Sequence, residues 1–151
     1  MKIFSIAFLL LILIFADKAS AMKIYIYNKG VSDQVEFTAA QEKKIMEIAK
    51  DIYENADKTL SFNINKENIK DIKSKDRCVE IDFEVTYPFS NGAIGYSVVR
   101  KMLIPLSGSY AGDMKNGGLT FFVGQDEYDG KSYSNANGLK YIEEIYKALQ
   151  R

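Results

Sequence analysis

Three carboxylates, Asp126, Glu127 and Asp129, stand within four positions of one another in the stretch GQDEYDGKSYSNANG, which runs from Gly124 to Gly138. Alternating oxygen ligands of this kind can cage calcium when a glycine turns the chain at the sixth loop position and a bidentate glutamate closes the cage at the twelfth. With Gly130 at the turn, Gln125, Glu127 and Asp129 take the first, third and fifth positions, and the twelfth falls on Ala136. The closing ligand is missing, so the calcium-loop spacing fails; a looser cation site on the three carboxylates is the weaker alternative to a hydrated connection. What remains is a mixture of Tyr, Ser, Asn, Gly and Asp. Tyrosine offers large contact area at small side-chain entropy cost, and this mixture is typical of protein-recognition loops. The same residue types also build hydrated turns and half-buried sheet margins, and Asn135 or Asn137 is placed to cap a following helix.

A second candidate chemistry is the row Glu80, Asp82 and Glu84 in CVEIDFEVTY. Same-face strand positions lie roughly 7 Å apart, within the separation of inverting glycosidase carboxylates. Any strand with three outward acids has that spacing, and Arg100 and Lys101 on the neighbouring segment offer cross-strand ion pairs instead. The sequence contains no histidine. Ser-His-Asp and Cys-His catalysis and His-ligated zinc are thereby excluded, and Ser107 and Ser109 have no imidazole to activate them. GSYAGDMKNGG lacks the Gly-Lys-Ser/Thr ending of a phosphate loop. No cofactor motif is present. Cys78 is the single cysteine, so no intramolecular disulfide can form, and its place at the head of an apolar strand predicts a buried structural thiol.

Residues 1–21 read as a secretory signal peptide: Lys2, an apolar run from Ile3 to Ala16, then the small residues Ala19, Ser20 and Ala21. That run is shorter than the roughly 20 residues a membrane span needs. Lys+Arg and Asp+Glu number 20 each, and removal of residues 1–21 changes the balance by one charge. Such a chain has no global field to draw nucleic acid or an anionic membrane surface. The expectation is an exported protein, periplasmic or extracellular, with a single domain over residues 22–151 and no membrane attachment after cleavage.

The elements that must position these residues follow from periodicity. KIYIYN (23–28) alternates as a strand. Residues 38–57 carry Ile45, Ile48, Ala49 and Ile52 on one helical stripe, opened by a Thr38–Gln41 capping box. Residues 59–65 alternate Leu60, Phe62 and Ile64 as a second strand, whereas charged 66–77 is compatible with a helical turn, an edge strand or a loop. Residues 78–87 alternate as a third strand, Pro88 and Asn91-Gly92 signal a turn, and 96–106 and 119–124 are further strands. Residues 139–150 form a closing helix on Leu139, Ile142, Ile145 and Leu149.

This order predicts an α+β domain: an N-terminal strand, one long helix on a mainly antiparallel four- to five-stranded sheet, and a C-terminal helix. It resembles the cystatin-like architecture in element order alone, since no inhibitory motif of that family is present. The functional expectation is a non-enzymatic module that engages a protein partner through its Tyr/Asn/Ser-rich loops, as an inhibitor, immunity protein or adaptor. Tyr110, Asp126, Tyr128, Asp129, Tyr133 and Asn135 are the candidate contact residues. The alternative is a small-ligand-binding domain or carboxylate enzyme working from a concave sheet face under the long helix, with Glu80, Asp82, Glu84, Asp126 or Asp129 as its polar groups.

Overall fold

The computed structural model describes residues 22–149; the signal-peptide reading of residues 1–21 lies outside them. The chain runs β1 (Lys23–Asn28), β2 (Val31–Val35), α1 (Ala39–Glu54), β3 (Lys58–Thr59), α2 (Lys66–Lys75), β4 (Arg77–Asn91), β5 (Gly95–Pro105), a 3-10 turn (Met114–Asn116), β6 (Leu119–Gly124), β7 (Tyr133–Asn135) and α3 (Leu139–Leu149). The strands form one sheet in the order β2-β1-β4-β5-β6-β7-β3 with antiparallel neighbours. The α+β class and the antiparallel sheet are as the pattern predicts. The strand number is larger, seven rather than four or five.

Period two decides which face each residue meets. On β4, Val79, Ile81 and Phe83 point into a large core with Met102 and Ile104 of β5 and Phe121 and Val123 of β6. Ile45, Ile48, Ala49, Ile52 and Tyr53 of α1, and Tyr141, Ile142 and Ile145 of α3, close that face. The capping box forms as expected: the Gln41 amide donates to Thr38 Oγ1 (3.3 Å) and the Thr38 amide to Gln41 Oε1 (2.7 Å). Gln41 Nε2 also donates to the Ala148 carbonyl (2.7 Å), tying α1 to α3.

The alternate positions Cys78, Leu103 and Phe122 face the other way, into a smaller cluster with Ile64 and Ile72, flanked by Tyr27, Ile69, Tyr110 and Tyr128. Helix α2 covers this side. The region of open reading, 66–77, is therefore mostly a helix, and it starts at a reciprocal Asn65–Asn68 cap with 2.9 Å bonds in both directions. Helices thus lie on both faces of the sheet, α1 and α3 on one and α2 on the other, whereas the expectation placed the long helix across it without a second covered face.

The expected strand at 59–65 is a correction. Only Lys58 and Thr59 pair with a strand. Beyond them Leu60 donates to Ser132 O (2.7 Å) and Ile64 to Gly130 O (2.9 Å), single bonds that hold the segment without a ladder. Strand β2 was not anticipated; it is joined to β1 through Lys29 and Gly30, both at positive φ (52° and 87°) as a two-residue hairpin turn requires. Pro88 does not open a turn but lies in β4 opposite Val98, and the turn falls at residues 92–94. Asn91 sits at its entrance and donates from Nδ2 to the carbonyls of Tyr53, Glu54 and Ala56 (3.1, 2.6 and 3.0 Å), capping the end of α1 from the hairpin. Its Oδ1 accepts from the Ala93 and Ile94 amides.

A bulge interrupts β4. Asp82 pairs with Lys101 and Tyr87 with Val99, so five steps on β4 match two on β5. Glu84 takes φ 56° at this point and its amide donates to Asp82 Oδ1 (2.8 Å). The bulge breaks the predicted alternation there, and Val85 is half exposed.

Candidate functional site

The acidic row is not a row. Glu80 points into the layer beneath α2, and only 7% of it is exposed. Asp82 is partly buried, with Arg100 Nε 3.5 Å from Oδ1, and Glu84 leaves the register at the bulge to pair with Lys23. Period-two alternation puts Glu80 opposite the main core, and the covering by α2 turns that outward position into an interior one.

Four contacts converge on the Glu80 carboxylate. Lys73 Nζ, from α2, lies 2.7 Å from both oxygens. Tyr27 on β1 donates its hydroxyl to Oε2 at 3.0 Å, and Tyr128 donates to Oε1 at 2.6 Å. The Lys73 ammonium also sits 5.2 Å from the Tyr27 ring centroid. A carboxylate offers about four lone-pair positions, so these contacts saturate it. Burial first, and then the charge of Glu80, push the Tyr128 and Tyr27 phenols well above their ordinary range. The neighbouring Cys78 thiol is fully buried and pushed up to about 12, chiefly by burial, with the Lys73 charge acting in the opposite direction. A thiol in that environment stays protonated near neutral pH and is a poor nucleophile. The node therefore has the character of an anchor, in which one carboxylate ties β4, β1, α2 and the loop after β6 together.

Tyr128 belongs to that loop, and its neighbours are fixed around it. Gly124 and Tyr128 form an isolated bridge, the Gln125 amide donates to Glu127 O (3.0 Å), and the Asp129 amide donates to Val123 O (2.9 Å). A Cβ on Gly124 would lie 2.0 Å from the Glu127 carbonyl oxygen, so only glycine permits the turn. Asp129 accepts from the Lys131 amide and from the Tyr133 hydroxyl, each at 2.9 Å. The three loop carboxylates thus diverge: Asp129 is held by Lys131 and Tyr133, Asp126 meets Arg100 Nη1 (2.9 Å), and Glu127 meets Lys66 Nζ (2.5 Å). Lys101 donates to the Asp126 main-chain carbonyl and lies 4.9 Å from the Tyr128 ring centroid.

The six candidate contact residues separate into two groups. Asp126, Tyr128 and Asp129 share this turn, and Tyr110 packs at the margin of the same side of the sheet, 5.8 Å from the Phe62 ring and 6.3 Å from Phe122. Tyr133 and Asn135 are interior, each 1% exposed. Tyr133 stacks on Phe121 (5.5 Å, 25°), and Asn135 Nδ2 donates to the Ile52 carbonyl (3.0 Å) while its Oδ1 accepts from the Asn137 amide (3.0 Å). Both are held there because residues 133–135 pair with β6 as β7 instead of remaining in a loop. Glu80, Lys73 and Tyr27 were not singled out as a set, since their meeting depends on α2 crossing the sheet. The one visible signal was Tyr27 on the polar side of β1.

Among the cavities that open on the described residues, two lie beside the candidate residues. One, of about 440 Å³, lies between α2 and the 126–128 turn. The other, of about 460 Å³, lies between residues 57–62 and the 109–120 connection. The sheet face under α1, expected to carry any concave ligand site, is filled by the side chains of the main core. Comparison of the chain with protein-family models, with curated proteins and with solved structures finds no match in any of the three.

Proposed function

We propose that this chain is an exported, non-enzymatic module that binds a protein partner through the turn at residues 125–129. One observation carries the reading: the turn is held by its own backbone bonds, by the Tyr128 hydroxyl on Glu80 and by Asp129 bonded to Lys131 and Tyr133, while Asp126 projects with 90% of its side chain exposed and Glu127 with 60%. A loop already held in one conformation loses little entropy on binding, and that is what a recognition loop needs. Asp126, Glu127 and the half-buried Tyr128 and Tyr110 form the proposed contact set, and the outward carboxylates favour a partner surface carrying basic groups. Tyr133 and Asn135 support the turn from inside. Inhibitor, immunity and adaptor roles all use such a surface. Catalysis by carboxylates finds less support, because Glu80 is saturated and Asp82 and Glu84 are ion-paired.

Affinity capture tests the proposal. The tagged chain over residues 22–151 is exposed to the envelope and medium of its own cells, beside a variant carrying Asp126→Ala and Glu127→Ala. Both substituted side chains are solvent-facing, so the fold is expected to persist, and circular dichroism verifies it. One stoichiometric protein captured by the parent and lost from the variant is the expected result. Capture that is absent, or equal in both, overturns the reading.

A further inference from the structure

The cavity between α2 and the turn has an apolar floor made by Ile64, Ile69 and the Tyr128 ring, and three ammonium groups in its walls, from Lys66, Lys73 and Lys101. Asp126 and Glu127 stand at its rim. Its volume of about 440 Å³ is that of a small-molecule site.

The three lysines differ in what holds them. Lys73 is bound to both oxygens of Glu80 at 2.7 Å and belongs to the anchor. Lys101 is engaged by a main-chain carbonyl and an aromatic face. Lys66 meets Glu127 across the mouth, and their side chains are 80% and 60% exposed, a setting in which ion pairs contribute little. Glu127 therefore shows where a carboxylate sits at this mouth, and it is held there weakly enough to be exchanged.

We propose that this cavity binds a small organic carboxylate. Its apolar body lies on Ile64, Ile69 and Tyr128, and its carboxylate takes the Lys101 ammonium and displaces Glu127 from Lys66. A carboxylate fits better than a neutral molecule, because only a charged group can exchange with Glu127 at Lys66 and gain a charge-assisted bond from Lys101. It fits better than a bare anion, because the floor offers nothing to an ion alone. The inference goes beyond the partner-binding proposal and does not depend on it, since it uses the inner face of the turn rather than the outward carboxylates of Asp126 and Glu127 in their present positions.

The test is an NMR titration of the isotopically labelled chain over residues 22–151 with benzoate, benzamide and acetate, at constant ionic strength. Benzoate is expected to give saturable shifts confined to residues 64–73, 101 and 126–128. The uncharged isostere and the ion without an apolar body should bind at least about tenfold more weakly, as loss of a charge-assisted contact or of the buried ring implies. Lys101→Gln should weaken benzoate by about fivefold or more, whereas Glu127→Gln, which removes the competing carboxylate, should tighten it by about twofold to fivefold. The opposite directions of these two variants cannot both arise from unfolding, and the dispersion of the spectra shows that each is folded. Absence of saturation with benzoate, equal binding of benzamide, or weaker binding by Glu127→Gln overturns the proposal, and none of these results bears on the capture experiment.

Discussion

Replacing Glu80 with alanine removes the acceptor shared by Lys73, Tyr27 and Tyr128, and the size of the effect can be worked group by group. The Tyr128 hydroxyl bonds to Glu80 beneath the turn, and leaving a donor in such a place unsatisfied costs about 1–3 kcal/mol. Tyr27 and Lys73 are only partly buried. Both can turn toward solvent, so they add roughly 1 kcal/mol together, well short of the 3–5 kcal/mol for stranding a fully buried charge. The expected loss is about 3 kcal/mol for Glu80→Ala, and roughly half that for Glu80→Gln, which retains the shape and an acceptor oxygen. Urea unfolding followed by circular dichroism reads the difference. With a slope of roughly 1.5 kcal/mol/M, the alanine midpoint should fall by about 2 M at unchanged slope. The cycle pairing Glu80→Gln with Tyr128→Phe should then show coupling of about 1 kcal/mol. A loss for alanine below about 1 kcal/mol would refute the reasoning, because it would mean that desolvating the carboxylate offsets all it gains from its donors.

Three further outcomes follow from the same geometry. Asn91→Ala removes three donated bonds from the end of α1 and two accepted by the hairpin turn; a destabilisation of about 2–3 kcal/mol is expected in the same unfolding assay, against roughly 0.5 kcal/mol for an ordinary exposed position. Tyr133→Ala should cost about 3–5 kcal/mol because it empties part of the main core, whereas Asp126→Ala should leave thermal stability within about 0.5 kcal/mol, and a reversed order in melting temperatures would contradict the separation of the two residues. For pH, Cys78 is raised from 9.0 to about 12 and the Tyr27 and Tyr128 phenols are raised above 10.0. The folded chain holds these protons more tightly than the unfolded one, so their stabilisation is complete below about pH 9 and is lost as pH rises beyond it, first through Cys78 and then through the tyrosines. The urea midpoint should be level near neutrality and decline above about pH 9, with Cys78→Ala flattening the earliest part of the decline.

Long alternating or helical stretches were legible because many residues vote for one face. Helix α1 is marked by its apolar stripe and its Thr38–Gln41 box, and β1, β4, β5 and β6 by repeated alternation. Strand β2 escaped because Val31–Val35 is an edge: it pairs through its backbone and buries almost nothing, so no side-chain period records it. Helix α2 buries fully only Ile72, and its cap uses Asn68 where a Glu or Gln would have been an obvious signal. The site was half legible for related reasons. Composition identified the Asp126–Asp129 turn, but it treats residues 124–138 as uniform and cannot tell that β7 draws Tyr133 and Asn135 into the interior. Glu80 looked like a surface acid because nothing in β4 itself reports that another layer lies above it.

That layer is unequal to its counterpart, and the inequality has a dynamic consequence. Five side chains of α1 are buried in the main core, whereas α2 is held by Ile72, the Lys73–Glu80 contact and two amide bonds from the β1–β2 turn, Lys29 to Asp76 O (3.1 Å) and Gly30 to Lys73 O (3.2 Å). Amide hydrogen exchange should therefore divide the molecule into two tiers. The amides of α1 and β4–β6 exchange only with global unfolding, and those of α2 exchange through a separate undocking of lower free energy. Each undocking carries Lys73 away from Glu80, so the carboxylate that clasps four elements together is also the group that solvent reaches first when the clasp opens.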